Sequence, residues 1–285
     1  IANVLSREKL LKRSPGVWKY TELLPVKKSS HMLSLKEGGT PLLKCTKIAE
    51  WIGIKELYIK DETRNPTWSF KDRFCSVAIG VALDFNAKTV TASSSGNHGA
   101  STAAYSAKAG LNCVIFTMSY APMSFITFMQ VYGAKVVPVT SAVGRWVLME
   151  RAVKELGWYP MNSYTLPMPT GNPYGCEGYK TIAYEILEEL NWVPPDKVIV
   201  PFGAGDGLFG IWKGFWEFEN IGLSDEIPSM IAAESSAGGP LANALRKGLN
   251  YVEKVEVKPT VAFSIASSTA SYQSLKAVRD SNGLA

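Results

Sequence analysis

Histidine is almost absent from this chain of 285 residues. His31 and His98 are the only two, which leaves little material for a histidine-rich metal centre. Cysteine is scarce as well: Cys45, Cys75, Cys113 and Cys176 lie far apart, with no C-x-x-C pair. That spacing argues against both a zinc site and a secreted disulfide framework, and it points to a reducing, cytoplasmic compartment. No metal is expected. No stretch reaches the roughly 18 consecutive apolar residues that a membrane-spanning helix needs. The N-terminal residues Ile1 to Arg13 mix charged and apolar side chains, without the apolar core or small-residue cleavage site of a secretory leader. Blocks of like charge are missing too. The 30 basic and 25 acidic residues are scattered and leave a net charge of +5, a balance that serves solubility and gives no argument for nucleic acid. There is no internal repeat and no low-complexity tract.

What is present is the composition of an ordinary globular protein, 46% hydrophobic and 19% charged. At about 150 residues per domain, the length fits one large domain or two moderate ones. From Leu57 onward, short β-branched runs alternate with longer segments of helical period, the signature of parallel strands joined by crossover helices. The pattern predicts strands at Leu57–Lys60, Thr89–Ala92, Cys113–Thr117, Lys135–Val139, Val198–Pro201 and Met230–Ala233. Helices are predicted at Lys71–Asp84, Asn97–Ala109, Met123–Tyr132, Val143–Leu156, Cys176–Leu190, Gly207–Phe218 and Pro240–Lys247. The breaker cluster over Thr165–Pro173 reads as a hinge or domain crossing.

Two strand-to-helix turns carry unpaired backbone N–H groups at the positive end of a helix, where anions bind. One is Thr91-Ala92-Ser93-Ser94-Ser95-Gly96-Asn97-His98-Gly99, and the other is Pro201-Phe202-Gly203-Ala204-Gly205-Asp206-Gly207. Either turn alone is also compatible with a plain tight connection. Gly203, Gly205 and Gly207 lack the G-x-G-x-x-G spacing of a dinucleotide site, and no Gly-Lys-Ser/Thr follows. A third segment, Asn65 to Arg73, places Lys71 where a helix begins and where the dipole repels a cation. Lys71 is then either a desolvated amine that joins a carbonyl cofactor as a Schiff base, or a solvated lysine paired with Asp72 or Glu62.

Taken in order, these segments resemble the fold type II pyridoxal-phosphate enzymes, and more narrowly the threonine synthase group. The resemblance rests on Glu37-Gly38-Gly39-Thr40-Pro41-Leu42, Lys60-Asp61-Glu62, Ser69-Phe70-Lys71-Asp72-Arg73 and Ser94-Ser95-Gly96-Asn97. It is extended by Asn172-Pro173, by Glu177-Gly178-x-Lys180-Thr181, and by the turn Gly203 to Gly207. It implies an α/β fold of two domains with mostly parallel sheets flanked by helices. Residues 67–165 would form a small domain inserted between the parts 1–66 and 166–285 of a larger one. Lys71 would hold pyridoxal 5'-phosphate and then act as general base and acid. Gly203, Ala204, Gly205, Asp206 and Gly207 would cradle the cofactor phosphate, with the Asp206 side chain turned away. Asn97 would bond the ring oxygen, and Ser94, Ser95, Asn97 and His98 would clamp the carboxylate of an amino-acid substrate. The group's substrate is phosphorylated, O-phosphohomoserine, and its members form homodimers.

Several residues depart from that pattern. Trp68 stands where the group has glycine, His98 matches the serine and threonine dehydratase branch, and Gly175 replaces an arginine. The dehydratase-like reading, a cysteate-synthase-like β-replacement and a non-catalytic binding protein therefore remain alternatives. The serine or threonine that meets the pyridine nitrogen is expected beyond the region matching Ser274 to Ala285, and an N-terminal cysteine-rich ribbon is not seen. Cys75 and Cys176 read as buried fillers, Trp212 and Trp216 as core or interface packing, and Glu234 as a residue near the cleft.

Overall fold

The computed structural model describes residues 5–165 and 171–285. Residues 166–170 of the predicted hinge lie outside this range. After a first helix α1 (Arg7–Leu11), capped by the Ser6 hydroxyl, strands β1 (Leu42–Lys44) and β2 (Tyr58–Lys60) flank helix α2 (Thr46–Ile52). β1 and β2 pair antiparallel, against the parallel expectation. Both are half-exposed, three-residue strands, and a surface ribbon lacks the double covering that parallel strands require.

Helix α3 (Lys71–Asp84) is buried all round from Asp72 to Ala82, as a helix through the middle of a core must be. Its Gly80 has no room for a side chain, because a Cβ there would lie 2.7 Å from Val26. Beyond it, β3 (Thr89–Ser93), α4 (Asn97–Ala109), β4 (Asn112–Met118), α5 (Met123–Val131), β5 (Lys135–Val139), α6 (Ala142–Leu156) and β6 (Tyr159–Pro160) follow in strict alternation. The strands form a parallel sheet in the order β5-β4-β3-β6. Small side chains at Ala100, Ser101, Ala103 and Ala104 are buried on α4, and this small-residue face lets α3 approach closely.

The chain continues through α7 (Pro173–Cys176), a 3-10 turn (Glu177–Tyr179), α8 (Lys180–Glu189), β7 (Lys197–Pro201), α9 (Asp206–Asn220), β8 (Ser229–Ala233), α10 (Pro240–Arg246) and α11 (Tyr272–Asp280). β7 and β8 are parallel, and Leu284 bridges to Ile231. The single helix expected over Cys176–Leu190 is broken. It starts early because the Asn172 side chain caps Tyr174 and Gly175 with Pro173 in the first turn. It tightens at Gly178, where a Cβ would lie 2.0 Å from the Arg73 carbonyl oxygen. The C-terminal ends of β3, β6 and β7 lead into Ser93, Asn162 and Ala204, all on one cavity. That is the edge at which open α/β sheets bind ligands.

Candidate functional site

The cavity has a volume of about 170 Å³ and is lined by Lys71, Phe74, Ser93, His98, Asn162, Ser163, Gly171, Tyr179, Ala204, Asp206 and Ser271. Lys71 is the first residue of α3, and its Nζ donates to the Tyr179 hydroxyl at 3.0 Å and sits 4.4 Å from the centre of the Phe70 ring. Burial lowers its pKa from the ordinary lysine value. The alternative of a solvated lysine paired with Asp72 or Glu62 does not hold. Asp72 accepts from Thr67 N, Thr67 Oγ1 and Ser101 Oγ, each at 2.6 Å. Glu62 is taken by the Arg73 guanidinium at 2.7 and 2.8 Å. Asp72 thus ties the turn before α3 to α4 and fixes where Lys71 emerges.

Across the cavity, Gly205 caps α9 in the left-handed region, with φ of +105°. Among the described residues, the amides of Gly203, Ala204, Gly205, Asp206 and Gly207 have no protein acceptor. Five free N–H groups at the start of a 15-residue helix make an anion cradle. The Asp206 side chain does not turn away as expected. It lines the cavity and accepts from Gly171 N at 3.0 Å. Burial raises its pKa, a shift opposed by the Gly171 amide and by Lys71. A Cβ at Gly205 would fall 2.5 Å from Ser274 and would demand a strained φ. Gly205→Ala is therefore expected to lose about 1–3 kcal/mol of stability and to weaken binding of pyridoxal phosphate. Urea unfolding together with a cofactor titration checks both.

The loop between β3 and α4 is built differently from the expectation at three residues. The Ser94 hydroxyl accepts from Gly96 N and Gly99 N, so its oxygen serves the helix cap. Ser95 Oγ accepts from Thr117 Oγ1, Met118 N and Arg145 Nη1. Asn97 is exposed and lies apart from the Lys71 cavity, in a neighbouring groove of about 480 Å³ shared with Thr67, Trp68, Ser124, Phe125 and Phe128. Trp68 adopts φ of +58°, the left-handed region that explains glycine there in the resembled group, and its ring stacks on Phe128 at 5.4 Å. The N–H groups of Ser95, Asn97 and His98 have no acceptor among the described residues.

His98 does face the Lys71 cavity. Its Nε2 lies 3.1 Å from the Met161 carbonyl, an acceptor that assigns the ring proton to Nε2, and its ring meets the edge of Phe74. Burial, together with the Lys71 charge, pulls its pKa from 6.5 to about 3. With the folded value depressed, the unfolded chain takes up a proton as pH falls below about 6.5 while the native ring stays neutral. The stability that His98 permits is thus lost progressively from pH 6.5 toward pH 3. NMR of the imidazole carbons is expected to show His98 neutral at pH 5. A titration midpoint near 6.5 in the folded protein would contradict this packing.

Sequence reasoning did not single out Ser93, Ser163, Asn162, Tyr179 or Ser271 as site residues. Ser93 Oγ and Ser163 Oγ are buried in the cavity wall with no partner. Tyr179 lies inside the Glu177-Gly178-x-Lys180 motif, the one signal that pointed to it. The other expectations resolve plainly. A Cβ at Gly175 would strike the Phe74 ring at 2.5 Å, so this position admits no arginine without repacking. Cys75 and Cys176 are buried, and burial pushes the Cys75 thiol up to about 12. Trp212 is buried against Trp216. Glu234 caps α10 through Leu241 N and Ala242 N.

These features suit pyridoxal phosphate. A neutral-prone amine would meet its aldehyde, the free amides of the α9 cradle its phosphate, and two orphaned hydroxyls its remaining polar atoms. Comparison with known proteins agrees. The model of the family described as pyridoxal-phosphate dependent enzyme matches residues 33–285, and the chain belongs to that family. It is 40% identical over 267 residues to the threonine synthase of Methanocaldococcus jannaschii, a match covering 93% of this chain and 64% of that protein. To the threonine synthase of Methanosarcina acetivorans it is 35% identical over 285 residues, covering 99% and 68%. The chain thus spans about two thirds of the length of these relatives. Among solved structures, maize serine racemase superposes with a TM-score of 0.69 at 24% identity, over 85% of this chain and 68% of that one. The processed threonine deaminase isoform 2 of Solanum lycopersicum gives 0.71 at 19%, over 85% and 62%. These two share the fold.

Proposed function

We infer that this chain carries the catalytic core of a pyridoxal-phosphate enzyme of the threonine synthase group, acting on an amino acid by elimination and replacement at its β and γ carbons. The observation that carries the reading is a single cavity holding both a lysine amine with a burial-lowered pKa and an amide cradle at the head of a helix. The cofactor, when bound, supplies an electron sink for charge developing on the substrate carbons. Lys71 would hold the cofactor through Nζ and would carry protons to and from those carbons. Tyr179 holds that amine in place through its hydroxyl. Gly203 to Gly207 bind the cofactor phosphate. The free amides of Ser95, Asn97 and His98 would orient the substrate carboxylate, and Asn97 would hold the cofactor ring. Residues 67–165 act as a small domain that closes on the rest and excludes water.

The substrate in this reading is O-phosphohomoserine. A second reading, deamination of serine or threonine, is favoured by one observation, the neutral His98 in the cavity wall. Two copies pair, with the exposed apolar residues Ile48, Trp51 and Ile52 of α2 available for burial, and four free thiols suit a cytoplasmic location. The test is turnover by the full-length protein loaded with pyridoxal phosphate. Threonine and inorganic phosphate released from O-phosphohomoserine support the first reading. Oxo-acid and ammonia from serine or threonine, with no action on O-phosphohomoserine, replace it with the second. Cofactor binding without exchange of a substrate Cα proton would make the chain a binding protein.

A further inference from the structure

Asp206 puts a carboxylate inside a site built for an anion. It is the first residue of α9, and its own amide is one of those left without a protein acceptor among the described residues. The side chain turns into the same cavity, where Oδ1 accepts from Gly171 N at 3.0 Å. Oδ2 accepts from no described residue. A Cβ on Gly171 would stand 2.6 Å from that oxygen, so the carboxyl group is wedged against the Gly171 backbone. The titratable groups around it are Lys71 from α3, Cys176 from α7, Tyr179 from the turn after α7 and, across the cavity, His98 from α4. From α11, Ser271 and Ser274 meet this end of α9. Burial holds the Cys176 thiol, the Tyr179 phenol and the His98 ring neutral. Among the described residues, the Lys71 amine is then the one positive charge acting on Asp206.

A phosphate ester enters such a cradle with nearly two negative charges at neutral pH. It then lies beside a carboxylate in a site shielded from water, where two neighbouring anions do not both keep their charge. One of them takes a proton. The phosphate has the free amides from Gly203 to Gly207 and the positive end of α9 to hold its charge. Asp206 has a single amide, that of Gly171. The proton therefore goes to the carboxyl group. Oδ1 is occupied as an acceptor, so the proton resides on Oδ2 and changes an acceptor facing the phosphate into a donor.

We propose that binding of the cofactor phosphate draws one proton from solvent onto Asp206, whose Oδ2 then donates to the phosphate. Asp206 is a cofactor-binding residue that ties affinity to pH, and the proposal rests on the reading that Gly203 to Gly207 take the phosphate. Because binding takes up a proton, affinity falls as pH rises, by up to about tenfold per pH unit above the pKa that Asp206 reaches in the complex.

The experiment uses the full-length protein freed of cofactor and titrated with pyridoxal 5'-phosphate or with pyridoxal. Calorimetry at pH 8 in buffers of different ionisation enthalpy counts the protons exchanged. The wild type is expected to take up about one more proton with pyridoxal phosphate than with pyridoxal, since the contribution of Lys71 is common to both. Asp206→Asn keeps an acceptor for Gly171 and carries a permanent donor in place of the protonated oxygen. It should show no such excess, and its preference for pyridoxal phosphate over pyridoxal should stay flat from pH 7 to 9 while that of the wild type falls. Phosphorus NMR should show a dianionic bound phosphate in both proteins. Absence of the excess in the wild type would overturn the proposal. An equal excess in Asp206→Asn with a monoanionic phosphate signal would overturn it too, by placing the proton on the phosphate. If pyridoxal phosphate binds the wild type no more tightly than pyridoxal, the cradle reading itself fails and takes the proposal with it. If Asp206→Asn does not fold, the wild-type infrared difference spectrum decides: the band of a protonated carboxyl group should appear on loading, and its absence refutes the proposal.

Discussion

Lys71→Ala should abolish lysine-bound cofactor and reduce turnover by at least about a thousandfold, with little change in stability. The expectation follows from how little Lys71 contributes to packing and how much chemistry its position allows. Its amine makes one side-chain hydrogen bond, to Tyr179, and the acids nearest in sequence are engaged elsewhere. Removing it breaks no ion pair and leaves the Arg73 network intact, although Asp206 loses a favourable charge nearby. Borohydride reduction followed by peptide mapping should recover the cofactor on Lys71 in the wild type and nowhere in the variant, while thermal unfolding moves by a few degrees at most. The amine also sets a pH dependence. Because burial lowers its pKa below 10.5, the neutral, nucleophilic form accumulates at lower pH than in a free lysine. The rate at which the cofactor-free protein takes up pyridoxal phosphate should therefore rise with pH and level off before pH 10.5. A drop in melting temperature as large as that of a core deletion would instead mark Lys71 as structural.

Arg73→Met should have the largest effect on stability. Arg73 is fully buried and joins segments far apart in sequence. It donates to Glu185 with both terminal nitrogens at 2.7 Å, to Glu62 at 2.7 and 2.8 Å, to Thr181 at 2.9 Å and to Thr40 at 3.1 Å. Burial alone would raise the Glu185 carboxyl, yet the charge and hydrogen bonds of Arg73, aided by Lys60, bring it down to about 2. Taking the guanidinium away leaves the buried Glu185 carboxylate and the partly exposed Glu62 facing one gap. Breaking such a network costs about 3–5 kcal/mol, which at this chain length lowers the melting temperature by roughly 10 °C.

The sign with pH is fixed by the same shift. The folded pKa of Glu185 lies below its unfolded value of 4.5, so its contribution is complete above pH 4.5 and fades as pH falls toward 2. Urea unfolding should therefore show the gap between wild type and Arg73→Met closing as the pH is lowered from 7 to 3. Adding Glu185→Gln to Arg73→Met should cost less than the sum of the two single changes, because the second substitution removes the charge that the first left unpaired. A constant gap across this pH range would mean that the loss is one of packing alone.

The Arg73 network also explains why the sequence was informative. Thr40, Glu62, Arg73, Thr181 and Glu185 fall in or beside segments that looked like separate motifs, and in the folded chain one guanidinium holds them together. Their order along the chain was visible, but their purpose was not. Hydrogen bonding across 112 residues, as between Arg73 and Glu185, leaves no local signal. Local signals worked where local physics decides. The limits of α3 and α4 came out residue for residue, because Lys71 and Asn97 follow turn segments and the helices end at a change of period and at Gly110. β1 and α2 were not expected at all, since short half-exposed elements carry weak periodicity, and α11 was missed although Leu275 and Val278 mark a clear buried face.

By itself, then, the sequence determined the alternation of strands and helices, the two glycine-bearing turns at helix starts, and a lysine placed where a cation has no electrostatic reason to be. Each of these is written in spacing and turn chemistry. The tertiary structure alone decided which of those residues share a cavity. Lys71, His98 and Asp206 meet there, whereas Asn97 lies in the neighbouring groove. Packing also decided the protonation of the site. The burial that lowers the pKa of Lys71 and His98 and raises that of Asp206 comes from neighbours brought in by the fold. Desolvation depends on everything that surrounds a group, and no stretch of sequence records that.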